Sequence, residues 1–165
     1  MTDVGTAPGC EAKLCPLADL AARAATLPRP LVFTNGVFDL LHRGHVTYLA
    51  QARAHGASLI VAVNSDASVK RLGKGDDRPI NNEEDRMAVL AALECVSLVT
   101  CFGEDTPLNA ILAARPDVLV KGGDWNVDAI VGASEVRAWG GQVHSIPFLF
   151  ERSTTATLAK VRAAH

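Results

Sequence analysis

From Leu31 onward, short apolar runs bounded by turn residues alternate with longer stretches whose apolar positions recur three and four residues apart. The runs at 31–34, 58–63, 96–100, 118–120 and 142–146 are rich in Val, Ile and Leu and scarcely alternate with polar residues. Parallel strands covered on both faces have that character. The intervening stretches 44–55, 82–93, 107–114 and 134–139 predict helices with one buried face, and Ser153 or Thr154 caps a closing helix over 153–163. Parallel strands need crossover connections, so the pattern predicts an α/β fold with a Rossmann-like, doubly wound, five-stranded parallel sheet in a single domain. Such sheets bind ligands beyond the carboxyl ends of their strands, where the winding reverses. Residues 1–28, with Gly5, Pro8, Pro16, Pro28 and an alanine-rich stretch over 19–26, read as a tail or short helix ahead of a domain at 29–165.

Composition narrows the classes. A chain of 165 residues suits one domain with its own core, so one site is sought. Its net charge of -2 disfavours nucleic acid, whose binders carry a basic excess. No run approaches the roughly 18 apolar residues that cross a bilayer, and the first 19 residues lack a basic start followed by an apolar core. A cytoplasmic protein without a membrane partner is expected. Cys10, Cys15, Cys95 and Cys101 form no CxxC pair and no Cys/His set at zinc spacing, so they read as free thiols, and no metal-ligating residues are assigned.

The chemistry concentrates in loops that follow strands. After the first strand comes Asn35-Gly36-Val37-Phe38-Asp39, then Leu40-Leu41 and His42-Arg43-Gly44-His45 at a helix start. A helix N-terminus offers unpaired N–H groups and partial positive charge to a phosphate. Gly44 permits close approach of the backbone, and His42 and His45 can donate to phosphate oxygens, stabilising charge without a covalent intermediate. Either histidine alone would read as a packing residue; the whole constellation reads as a phosphate site. At the last helix, Arg152-Ser153-Thr154-Thr155 supplies a guanidinium, hydroxyls and a second phosphate-ready terminus. Lys121-Gly122-Gly123-Asp124 follows the fourth predicted strand, and Trp125 beside it offers a stacking surface for a base. Residues 64–80 read as a long, locally basic loop, with Lys70, Arg71, Lys74 and Arg78 and with Gly73 and Gly75 to let it act as a lid.

These motifs resemble the HxGH nucleotidylyltransferase superfamily. The hallmark stands here as His42-Arg43-Gly44-His45 behind its lead-in, and Ser153-Thr154-Thr155 resembles the C-terminal motif. Across 33–162 the chain is similar to the adenylyltransferase domain of ADP-heptose synthesis, including the Lys121-Gly122-Gly123-Asp124 run. Arg43 departs from the Trp or Pro common in the glycerol-phosphate cytidylyltransferases. The resemblance implies transfer of AMP from ATP to D-glycero-D-manno-heptose 1-phosphate for lipopolysaccharide core, with Mg²⁺ bridging phosphates and a homodimer or higher homo-oligomer as the working form. It implies His42, His45, Lys74 and Arg152 as catalytic residues. It places Asn35, Gly36, Phe38, Gly44, Lys121, Gly123, Asp124, Ser153, Thr154 and Thr155 at the nucleotide, and Asp39, Arg78 and Arg86 at the sugar phosphate. In many relatives a sugar kinase precedes this domain; the roughly 30 residues here are too few for one, and a separate transferase is expected. A polyol-phosphate cytidylyltransferase and a non-catalytic nucleotide-binding regulator are the competing readings.

Overall fold

Strand β3 (Ser58–Asn64) is buried at all seven positions, as a central strand flanked by strands and covered on both faces must be. In the computed structural model, which describes residues 9–73, 75, 77–150 and 153–163, six parallel strands make one sheet. They are β1 (Leu14–Cys15), β2 (Leu31–Gly36), β3, β4 (Leu98–Phe102), β5 (Val118–Gly122) and β6 (Gln142–Ile146), ordered β1-β4-β3-β2-β5-β6. The chain winds outward from β2 through β3 to β4, then returns to the other side of β2 for β5 and β6. The reversal puts the switch point between β2 and β5.

Side chains alternate between two apolar layers, so neither face shows in the sequence as polar. Leu31, Phe33, Ile60 and Leu119 face α1 (Leu20–Ala25), α5 (Leu108–Ala114) and α6 (Ala133–Ala138). Val32, Leu59, Val61 and Val120 face α2 (Arg43–Arg53) and α4 (Glu83–Ala91). α7 (Thr154–Arg162) closes the chain, and of its residues only Thr154 is buried.

Three expectations are corrected. The sheet has six strands, not five: Leu14 and Cys15 pair with Val99 and Thr100, while Leu20 and Ala24 of α1 enter the core. A two-residue strand ended by Pro16 is shorter than any run that hydrophobic periodicity detects. The 64–80 segment is not loop throughout, because α3 (Asp66–Arg71) forms within it, capped by Ser65 Oγ, which accepts the Ser68 N–H at 3.2 Å. β4 also starts two residues later than the apolar run suggests, since Val96 is buried ahead of the ladder.

Because Leu20 is fully buried, Leu20→Ala is expected to cost about 2–5 kcal/mol in urea unfolding. An unchanged midpoint would show that the segment before β2 is only an appendage.

Candidate active site

Beyond β2 the chain turns sharply. Phe38 takes φ 49°, a left-handed conformation that costs a non-glycine residue energy and persists only when neighbours fix it. Its ring packs edge-on against His45, with centroids 5.2 Å apart. His42 caps α2: its Nδ1 accepts the His45 N–H at 3.4 Å, which puts the proton of a neutral His42 on Nε2. The two imidazoles stack with centroids 3.7 Å apart and planes 17° from parallel. Burial, and then the neighbouring His42, push the His45 pKa down to about 4, against a weaker opposing effect of the Leu40 backbone. Its Nδ1 is buried and meets no group at full hydrogen-bonding geometry. His45 is therefore neutral at pH 7.

The start of α7 faces this pair. Ser153 caps it by accepting the Ala156 N–H at 3.0 Å, and Thr154 and Thr155 follow. Ser153, Thr154, Thr155, His42 and His45 line one cleft of about 420 Å³, with Phe148 along its wall. Two helix N-termini thus open on a common space, each presenting N–H groups and partial positive charge to an anion.

A second cleft, about 340 Å³, lies at the switch point and shares Val37 with the first. Asn35, Gly36, Lys121 and Trp125 line it. Lys121 Nζ donates to Asn35 Oδ1 at 3.3 Å and stands 5.9 Å from the Trp125 ring centre. Gly123 sits at φ 114°, where a Cβ would lie 2.8 Å from Trp125 Nε1, so glycine here lets the indole fold back and donate to the Gly122 carbonyl at 2.9 Å. Asp124 is exposed and lines neither cleft. Gly44 is buried and also lines neither; a Cβ there would lie 2.9 Å from the Phe150 carbonyl oxygen, so the close approach it permits is that of the chain's own backbone.

The groups expected at the sugar phosphate are engaged with the scaffold. Asp39 accepts from Arg78 Nε at 2.5 Å and from the Ile80 and Asn81 N–H groups at 2.9 and 3.0 Å. Burial alone would raise the carboxyl, but the Asn81 and Ile80 N–H groups and Arg78 outweigh it and hold the pKa below its ordinary value. Both Asp39 and Arg78 still line the first cleft. Arg86 lines neither cleft and is 2% exposed. Its guanidinium donates to the carbonyls of Val37, Asn64 and Asn81 and to the Asp66 carboxylate, all at 2.7–3.0 Å. Lys74 and Arg152 lie outside the described residues. Three participants had no sequence motif to mark them. Phe148 meets His45 and Tyr48 edge-on, Phe150 stacks under Arg43, and the Tyr48 hydroxyl shares a buried 2.6 Å hydrogen bond with Thr34.

A parallel sheet wound both ways from β2, with two capped helix starts converging at its carboxyl edge, defines an α/β nucleotidyltransferase. Residues 33–161 match the cytidylyltransferase-like family, and the chain belongs to it. Over 154 residues it is 60% identical to the D-beta-D-heptose 1-phosphate adenylyltransferase of Bordetella bronchiseptica, covering 92% of this chain and 95% of the relative. It is 59% identical over 132 residues to the bifunctional protein HldE of Pseudomonas syringae pv. syringae, covering 80% of this chain but only 28% of that longer protein. The lipopolysaccharide core biosynthesis protein of Thermoplasma volcanium superposes with a TM-score of 0.61 at 28% identity, over 74% of this chain and 98% of the other. Pantoate-beta-alanine ligase from Francisella tularensis shares the fold alone, with a TM-score of 0.55 at 13% identity over 86% of this chain and 68% of the other.

The lowered His45 pKa carries a signed consequence for stability. The unfolded chain takes up a proton on this residue near its ordinary value of 6.5 while the folded protein resists until about 4, so stability falls as pH drops through that window. Partial exposure limits the loss to on the order of 1–2 kcal/mol. His45→Asn is expected to lose less stability than the wild type between pH 7 and pH 5 in urea titrations. Equal losses would show that His45 does not resist protonation.

Proposed function

We propose that the chain transfers AMP from ATP to D-glycero-D-manno-heptose 1-phosphate, giving ADP-heptose and pyrophosphate for lipopolysaccharide core synthesis. The observation that carries this is the 60% identity, over nearly the full length of both chains, to a heptose 1-phosphate adenylyltransferase. That similarity also disfavours a polyol-phosphate cytidylyltransferase, and both histidines at one cleft disfavour a regulator that only binds nucleotide.

An oxygen of the sugar phosphate attacks the α-phosphorus in line; the new P–O bond forms as the bond to the β-phosphate oxygen breaks, and pyrophosphate leaves. His42 and His45 donate hydrogen bonds as charge builds on the reacting phosphate, and the Ser153–Thr155 helix start receives the pyrophosphate. Asn35, Gly36, Lys121 and Trp125 hold the nucleoside at the switch point. Gly44, Phe38 and Gly123 act by shaping these walls. Asp39 and Arg78 fix the rim at which the sugar phosphate enters, and Arg86 positions that rim. Lys74 and Arg152 are assigned to offset phosphate charge. Among the described residues no group of three or more His, Cys, Asp or Glu side chains can hold a metal, and the Asp39 carboxylate is engaged. We assign Mg²⁺ to the ATP phosphates, where it would offset their charge. No described helix is long and apolar enough to cross a membrane, and we place the reaction in the cytoplasm, with a homo-oligomer as the working form.

Pyrophosphate release should require ATP, heptose 1-phosphate and Mg²⁺ together, in a panel crossing ATP and CTP with sugar and polyol phosphates. His45→Ala should lower kcat at least about 100-fold while ATP still binds. Preference for CTP with glycerol 3-phosphate, or an undiminished kcat in the variant, would overturn the corresponding assignment.

A further inference from the structure

The two helix starts at the phosphate cleft belong to distant parts of the chain, α2 and α7. α7 contributes little buried anchorage of its own, since only Thr154 is buried and its far end is held by an exposed ion pair between Arg162 and Asp77. Upstream of its cap, Phe150 lies with its ring centre 3.7 Å from the Arg43 guanidinium carbon. The Phe150 carbonyl oxygen seats against Gly44, where any Cβ would approach it to 2.9 Å. Arg43 is exposed, lines neither cleft, and stands between the two histidines in sequence. Phe150 precedes Ser153 by three residues, which span at most about 10 Å of extended chain, so holding Phe150 restricts where the α7 cap can be.

We propose that the Arg43–Phe150 stack is a clip that sets the α7 start over the His42–His45 pair, making Arg43 a positioning residue for the phosphates of the nucleotide. The inference rests on the adenylyltransferase reading for its ligand, but the clip itself is a property of the nucleotide-free protein. An exposed cation–π contact is strong enough to shift several-fold the population in which the α7 start lies over the two histidines, and nucleotide affinity falls with that population.

The test is a cycle of wild type, Arg43→Ala, Phe150→Leu and the double variant; leucine keeps apolar bulk and removes the π face. Arg43→Lys serves as the conservative rescue. Each single variant should raise the KM for ATP and the dissociation constant of Mg-ATP by about 3- to 10-fold, with kcat within about 2-fold. The double variant should be no worse than the poorer single, and Arg43→Lys should recover part of the loss. In the nucleotide-free protein, both single variants should speed amide hydrogen exchange over 156–160. Additive losses in the double variant, or a loss in Arg43→Ala that Phe150→Leu does not share, would mean that Arg43 meets the nucleotide directly and would overturn the clip. Unchanged exchange in the single variants would overturn it as well. A wild type that fails to bind Mg-ATP would instead refute the adenylyltransferase reading, leaving the exchange result to decide the clip.

Discussion

A guanidinium buried beneath the carboxyl edge of the sheet holds that end of the molecule together. Arg86 arrives from α4, and its hydrogen bonds reach the chain just past β2, the last residue of β3, the first residue of α3 and the loop ahead of its own helix. Four segments that diverge in sequence are drawn to one charge. Burying a cation is tolerable only when its donors are met by acceptors, and here a carboxylate and three carbonyls meet them. Removing one member of such an arrangement typically costs about 3–5 kcal/mol, because the other groups stay buried without partners. The turn carrying Phe38 at positive φ hangs from this tie through the Val37 carbonyl, so the orientation of the histidine pair depends on a residue that touches neither cleft. Asp39 extends the same logic by gathering Arg78 and two backbone N–H groups onto one carboxylate.

In the proposed reaction the cleft draws phosphate by a different route. The chain is net negative, and Arg71 and Arg78 of the basic segment are bound to Asp105 and Asp39. Positive potential in the described cleft comes from the two helix starts and from the N–H of the neutral His45 imidazole. In the reaction proposed above, such donors are already aimed into a partly dry cleft, so the charge that develops on a phosphate is stabilised without rearranging the protein.

How much of this was legible in the sequence depended on the range of the interaction. The five longer strands and most helices follow from local periodicity, and the helix caps Asn82 and Ser153 follow from residue type at a boundary. Ser65 is also such a cap, yet α3 escaped notice because six residues containing Ala, Ser and Val carry too weak a helical period beside two glycines and a basic run. The histidine motif could be read because its members are adjacent. Arg86 was marked as a site residue but not as a scaffold residue, since its partners at 37, 64, 66 and 81 converge only after the sheet forms. Phe148 and Phe150 escaped for a related reason. Their apolar run before the last helix looks like any exposed linker until α2 is laid beside it.

The brevity of β1 has a meaning of its own. Without it, β4 would present a row of unpaired backbone groups at the margin of the sheet, a template onto which a strand from another molecule could add. Two residues cover the rungs at Val99 and Thr100, and Pro16, which has no N–H to offer, follows at once. The result is a margin too short to recruit a neighbour. The first described residues of the chain therefore act as a selvedge, finishing one side of the sheet against the addition of a further strand.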